Sequence, residues 1–446
     1  MNKKYLLAFM LTMPVAISGC SYMPGWMGGA KENKPKLEGQ RVDVLPVDLG
    51  LQPDESTKDM AITLPAVSSN EEWPQHTGMF NETNSNLAAA GSFDKDTHAT
   101  AGEGEEFESS LAIRPVVGGG LVFVMDAVGN ISAHNATDIT NVRWQSTGVA
   151  TEDEPEIAGG GLAYHSGKLY ATSGRGHIVS LDATTGKQVW RKDLRVPLRS
   201  APSIFAGKLY ATTIDNQMFA LNTADGEVVW NQRGIRETTG LMGTVSPLVA
   251  GEILVAPYSS GEIYALGAND GREIWSDSLS SGKRTQASAL FAGIGGDPVV
   301  DGGVVFAVSS GGTLSAHALS TGQRAWERPV GAVNTPWISG DYLFLLTTDN
   351  TLICFVKFDG RIRWSTKLPS FEDEELKRRP ISWKGPVLVS GKLAVISSNG
   401  QMFLLNATDG KIAGTKSIPE DVYTAPVVAG GRMYVVTQDA TLHSLQ

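Results

Sequence analysis

The stretch "DGREIW" at residues 270–275 recurs as "TGKQVW" (185–190), "DGEVVW" (225–230), "TGQRAW" (321–326) and "DGRIRW" (359–364). In each copy a Trp stands four residues after a Gly. A residue as bulky as Trp at fixed phase marks a structural repeat, which has to be decoded before any site is sought. Counting backwards, Pro202, Pro247, Pro298 and Pro336 each lie 28 residues before Trp230, Trp275, Trp326 and Trp364. Pro386 lies the same distance before Gly414, and Leu162 holds the Pro position before Trp190. Pro115 precedes Trp144 by 29 residues, and Pro426 opens a last copy that ends at Gln446. The chain therefore holds eight repeat starts.

The columns inside the repeat carry physical meaning. Fourteen residues after each start stand Gly129, Gly176, Asn216, Gly261, Gly312, Asn350, Gly400 and Ala440. Gly and Asn tolerate positive φ, so this column predicts a tight hairpin turn. The residues at +16 are all apolar, those at +18 are mostly small, and those at +19 are mostly apolar on the opposite face. A strand apolar on both faces is one packed between two other sheets. The Asp-Gly or Thr-Gly at +23/+24 is the next hairpin turn.

Each unit thus reads as four short antiparallel strands, with spacings of 38–51 residues from Trp to Trp. The pattern predicts an all-β, eight-bladed β-propeller. In a wedge-shaped blade the outermost strand has the widest gap to fill. Trp supplies apolar area there and an N–H that can bond a carbonyl. The last copy ends before its outer strand, so an N-terminal strand has to close the ring and remove the open edge. Spacing points to "GSFDKDT" (91–97), with Phe93 in the Trp position, and "EEWPQHTG" (71–78) is expected to cover the outside of the closure.

The ends and the charge narrow the class of function. Lys3 and Lys4 precede the apolar run "YLLAFMLTMPVAI" (5–17) and then "SGC" (18–20), the pattern of an export signal over residues 1–19. Ile17-Ser18-Gly19-Cys20 resembles the bacterial lipobox, which implies that Cys20 is lipidated and becomes the mature N-terminus. Ser21 after it implies sorting to the outer membrane. Residues 20–70 read as a lipidated flexible tether, and 71–446 as the propeller. With Cys20 lipidated, Cys354 has no partner among the two cysteines, so no internal disulfide is expected. The net charge of −10 argues against nucleic acid as a partner.

Catalytic and metal-binding patterns are not evident. His134 and His317 fall in the apolar +19 column as core residues. His443, His76, His98, His165 and His177 show no ligand spacing, so no metal site is predicted. Cys354 fits the small +18 column as buried filler.

The repeat in "IVSLDATTGKQVW" (178–190) and "MFALNTADGEVVW" (218–230) resembles the pyrroloquinoline-quinone (PQQ) type propeller repeat. Two families share it, quinoprotein dehydrogenases and the BamB lipoproteins of outer-membrane β-barrel assembly. The dehydrogenases carry an adjacent Cys–Cys pair beside the quinone and a Glu, Asn and Asp set on calcium. Here the cysteines lie 334 positions apart and no such ligand set is found. Length, lipobox and eight repeats make the chain resemble BamB, and "WPQHTG" (73–78) with the long tether resembles the alphaproteobacterial members. The resemblance implies a non-enzymatic scaffold without a cofactor, on the periplasmic face of the outer membrane. It implies binding to a BamA-like barrel-assembly subunit, with unfolded outer-membrane proteins as further partners and membrane contact through the lipid alone. The alternatives are a PQQ-dependent dehydrogenase and a ligand- or glycan-binding propeller lipoprotein.

The resemblance also implies a partner face. Variable blade-to-blade connections lie at one end of the ring with the second turns, and recognition sits on such loops. The family's Leu-Ser-Leu-Arg run corresponds to Thr239-Gly240-Leu241-Met242, and its Asp-x-Asp pair to Gly293-Ile294-Gly295. The expected contact is therefore apolar, through Leu241 and Met242, with Arg236 or Asp297 at its rim.

Overall fold

The computed structural model describes residues 51–446 apart from 58–59, 79–84, 90–91, 105–112, 150–158, 237–244 and 281–292. The described residues form 34 strands and no helix. Eight four-stranded antiparallel sheets account for all of these but one hairpin, Phe371–Asp373 with Arg378–Pro380, in the connection after the sixth sheet. The ring is an eight-bladed β-propeller whose sheets follow the eight repeats in order.

The turn column behaves as its composition requires. All eight residues at +14 have positive φ, from 59° at Asn216 to 113° at Gly312, and 60° at Ala440. The carbonyl at this position also receives the chain as it leaves the outer strand. Leu194 N–H donates to Gly176 O, Gly234 to Asn216 O, Leu279 to Gly261 O and Leu368 to Asn350 O. Each donor lies four residues beyond the outer Trp, which fixes the connection and the second turn at the same end of the blade.

The Trp–Gly motif is a device for joining neighbouring blades. Each outer Trp donates its indole N–H into the next blade: Trp144 to Ala183 O, Trp190 to Thr223 O, Trp230 to Ala268 O, Trp275 to Leu319 O, Trp326 to Lys357 O and Trp364 to Ala407 O, at 2.7–3.2 Å. The turn glycine of that next blade lies beneath the ring. A Cβ at Gly186 would come 2.5 Å from Trp144, and one at Gly322 2.6 Å from Trp275. The glycine therefore makes the turn at positive φ and also clears room for the preceding blade's indole. Sequence reasoning assigned only the first of these tasks.

An N-terminal strand closes the ring, as expected, but with a shifted register. Strand β1 (Asp96–Thr100) pairs antiparallel with β34 (Thr441–Leu445) and makes the outer strand of the eighth blade. In the other blades the outer Trp pairs with the small +18 residue, as Trp275 does with Ala265. In the eighth blade Ser444 pairs with Thr97, and Ala101 N–H donates to Ala440 O four residues later. Thr97, not Phe93, thus occupies the Trp position. Phe93 is buried just before the strand, with φ 54°. The reason lies in the first blade, whose third turn carries Ile139 where the others carry Gly.

The segment 71–78 does not cover the outside of the closure. It lies on the axis of the ring. Trp73 bridges to Val117 of the first blade's inner strand, and Pro74 O accepts from Tyr164 N of the second. Gln75 Oε1 accepts from Ile204 N of the third blade, and the Trp73 ring stacks on Trp337 of the sixth, 6.1 Å between centroids. Asn70 bonds both ways with the eighth blade, through Val428 O and Gly430 N. Leu87, bridged to Ser68, pairs with Val389 of the seventh. A segment that reaches inner strands on opposite sides of a ring can only fill its channel. Trp73, Asn70, Gln75 and Leu87 are all buried. Contacts begin earlier still, because Asp54 and Thr57 bond the backbone of Ile362 on the outer strand of the sixth blade.

Candidate functional site

The second turn of the third blade, Thr213–Asn216, carries the clearest exposed apolar feature at the connection end. Asn216 adopts φ 59°, and its side-chain amide donates to Ile235 O at 2.7 Å, tying the outgoing connection to the turn. Asp215 accepts from Thr213 Oγ1 at 2.5 Å, from Gln217 Nε2 at 2.7 Å and from Arg236 Nη2 at 3.1 Å. Partial burial works against the charged form of Asp215, but these donors outweigh it and hold its carboxyl below the ordinary range. Ile214 is 49% exposed and Ile235 is 56% exposed, on either side of that pair. Two isoleucines thus stand exposed beside a charge pair at this turn.

The residues expected from the sequence are placed differently from one another. Cys20, Leu241 and Met242 lie outside the described residues. Arg236 is exposed at this patch, with 74% of its side chain accessible. Asp297 is not at a rim. It is 1% exposed, and it accepts from Ser246 N at 2.7 Å, from Thr335 Oγ1 at 3.0 Å and pairs with His76 Nδ1 at 2.8 Å. It joins the fourth, fifth and sixth blades to the segment in the channel. Arg114, from the first blade, completes the knot by donating to His76 O at 3.1 Å. Burial alone would raise the Asp297 carboxyl, but the charges of His76 and Arg114 and the Ser246 N–H hold it below the ordinary range. Its position next to Pro298 suggested a loop residue, and nothing local in the sequence signals a partner 221 residues away.

The Gly293-Ile294-Gly295 run is a packed strip. Ile294 is buried and bridges to Ser309. A Cβ at Gly295 would fall 2.0 Å from Ala332 O, and one at Gly296 2.3 Å from Asn334 O. A side chain at Gly295, or at Gly293, whose Cβ would fall 2.9 Å from Ser259 O, would therefore have to displace backbone.

The remaining candidates are structural. His134 is fully buried, with Nδ1 on Ile139 O at 2.7 Å and Nε2 on Ser132 Oγ at 3.0 Å. His317 stacks on Trp275 and bonds Ser315 Oγ at 2.8 Å. Burial lowers the pKa of both rings. Cys354 is buried opposite Trp364, and burial pushes its thiol far up, away from nucleophilic use. Sequence reasoning missed Ile214 and Ile235. The signal for Ile214 was an apolar residue inside a polar turn, "TTIDNQ" (212–217); Ile235 had none.

Comparison with known proteins settles the lineage of this ring. The profile of the family described as outer membrane protein assembly factor BamB matches residues 129–366 and 372–446. The chain belongs to the BamB family. Among BamB relatives, the factor of Escherichia coli K12 is 30% identical over 339 residues, covering 75% of this chain and 84% of that protein. The factor of Salmonella typhimurium is 30% identical over 346 residues, 76% of this chain and 85% of that protein. An uncharacterized protein of Rickettsia conorii is 24% identical, over 75% of this chain and 81% of its own length. The crystal structure of BamB from Moraxella catarrhalis superposes with a TM-score of 0.65 at 19% identity, covering 78% of this chain and all of that one. A europium-containing methanol dehydrogenase gives 0.64 at 15% identity, over 82% and 89%. These two likenesses concern the fold alone.

Proposed function

We propose that this BamB-family propeller is a non-enzymatic scaffold of outer-membrane protein assembly, anchored through a lipid on Cys20 at the periplasmic face of the outer membrane. Its partner is a BamA-like barrel-assembly subunit, and unfolded outer-membrane proteins are further ligands. The observation that carries the partner face is the exposed pair Ile214 and Ile235 around Arg236–Asp215, held on a hydrogen-bonded turn at the end where the connections emerge. Leu241 and Met242 follow a few residues later on the same connection and extend the grip. Asp297 contributes by holding the blades that present the loops.

The scaffold reading is also supported by the occupied axis. A cofactor seated on the channel axis would have to displace Trp73, Pro74 and Gln75 from their bonds to three blades. Dye-linked dehydrogenase activity after addition of PQQ and calcium would overturn the scaffold reading, and none is expected.

The partner face is tested with two double variants, Ile214→Asp/Ile235→Asp and Leu241→Asp/Met242→Asp. Each should weaken copurification of the barrel-assembly subunit several-fold. The first should leave the melting temperature within a few degrees, because its side chains are already half in water. Undiminished copurification by both, with loss on substitution at the opposite end of the ring, would place the partner on the other face.

A further inference from the structure

The two ends of the propeller chain meet in one strand pair. Within it His98 stands directly opposite His443, and Asp96 lies two residues along on the same face. The two imidazole rings are 5.7 Å apart between centroids. His443 Nδ1 is 3.1 and 3.2 Å from the two carboxylate oxygens of Asp96. One ligand atom from each of Asp96, His98 and His443 lies within 4.8 Å of the others.

We propose that Asp96, His98 and His443 form a site for a divalent transition-metal ion, with Zn²⁺ as its probe, that staples the closing strand to the last strand of the ring. Tetrahedral zinc, with bonds of about 2.0–2.1 Å to nitrogen and oxygen, needs ligand atoms roughly 3.3–3.5 Å apart. The Asp96–His443 edge, at 3.1 and 3.2 Å, is already close to that length. His98 is exposed, and its ligand atom already lies within 4.8 Å of those of Asp96 and His443. His443 is 4% exposed and held by strands on both sides, which presets the least mobile ligand. Two imidazoles and a carboxylate favour zinc and its first-row neighbours over magnesium or calcium.

The consequence is mechanical. Two ligands come from the strand before the first blade and the third from the strand it pairs with in the eighth, so the ion bridges the strand pair that closes the ring. Binding to the closed ring alone stabilises closure by mass action. Nothing local in the sequence signals this, because 345 residues separate the two histidines.

The test uses untagged full-length protein in detergent, stripped with chelator and titrated with Zn²⁺ by calorimetry. Visible absorption of Co²⁺ reports the ligand geometry. One Zn²⁺ per chain should bind and raise the melting temperature. His98→Ala and Asp96→Asn should each weaken binding at least about tenfold, since even outer-shell losses cost that much. His98 is the deciding position, because its removal leaves the seam's packing intact. Failure of the unaltered protein to bind Zn²⁺, or equal affinity and equal Co²⁺ spectrum in His98→Ala, would overturn the site.

Discussion

Two kinds of seam hold the ring together. From the first blade to the seventh, six seams use the same device: an outer Trp lies on the next blade's turn glycine and bonds that blade's backbone. Around the closure the device is missing on both sides at once. The seventh blade has Gly414 at the Trp position, and the eighth blade takes its outer strand from Asp96–Thr100, so no third turn joins that strand to Thr441–Leu445. The eighth blade has Thr97 there, and the first blade has Ile139 where the glycine would be. Donor and receptor vanish together. The Trp is therefore kept for its neighbour, not for its own blade. In place of the device the closure has strand pairing over Asp96–Thr100, an Asp96–His443 pair, and the segment through Trp73 that ties blades together on the axis.

The largest expected effect follows from that contrast. A chain beginning at residue 101 lacks the outer strand of the eighth blade and the axial segment, and exposes the edge of Thr441–Leu445. It should lose cooperative unfolding and tend to associate through that edge. A chain beginning at residue 51 should keep the melting temperature of the longer protein. An unchanged melting temperature for the shorter of the two would show that the closure carries no stability.

The regular seams can be broken one at a time, with a smaller effect. Trp275→Ala removes a side chain that is 8% exposed and should cost about 3–5 kcal/mol in denaturant unfolding. Gly322→Ala places a Cβ 2.6 Å from that indole at φ 71° and should cost roughly 1–3 kcal/mol. Combined, the two should cost clearly less than their sum, because the clash needs the ring. Additive costs would mean that the glycine serves its turn alone.

How much of this was legible in the sequence depends on how far apart the interacting residues are. The turn at +14, the outer Trp and the eight starts repeat at short range, and each was readable from side-chain chemistry at fixed spacing. The fate of 71–78 was not, because a Trp-Pro-Gln-His run looks the same against an outer surface or inside a channel. Only the ring's geometry brings Val117, Ile204, Asp297, Trp337 and Val428 around it. Asp297 was misjudged for the same reason: a loop acid is ordinarily solvated, and its burial depends on His76 and Arg114 from distant blades. Spacing to Pro115 points to Phe93, yet the strand pairs so that Thr97 stands opposite Ser444, in a seam whose first-blade turn has no glycine.

The smallest expected effect is also the sharpest test of the contrast. Gly414→Trp restores the repeat's consensus in the seventh blade. Space is available locally, since a Cβ at 414 would meet only Leu404 Cδ1, at 3.8 Å. Replacing a strand glycine brings a gain of up to about 1 kcal/mol from backbone preference and local packing. In the eighth blade, however, the outer strand is Asp96–Thr100, so no third turn joins it to Thr441–Leu445 and, among the described residues, no turn glycine of the repeat stands there to receive the ring. If an outer Trp stabilises chiefly through the neighbouring blade, the substitution should change the unfolding free energy by no more than about 1 kcal/mol. A gain of about 3 kcal/mol or more, matching the loss expected at Trp275, would show that the indole works within its own sheet. The paired absences at the closure would then have nothing to do with how the seams are held.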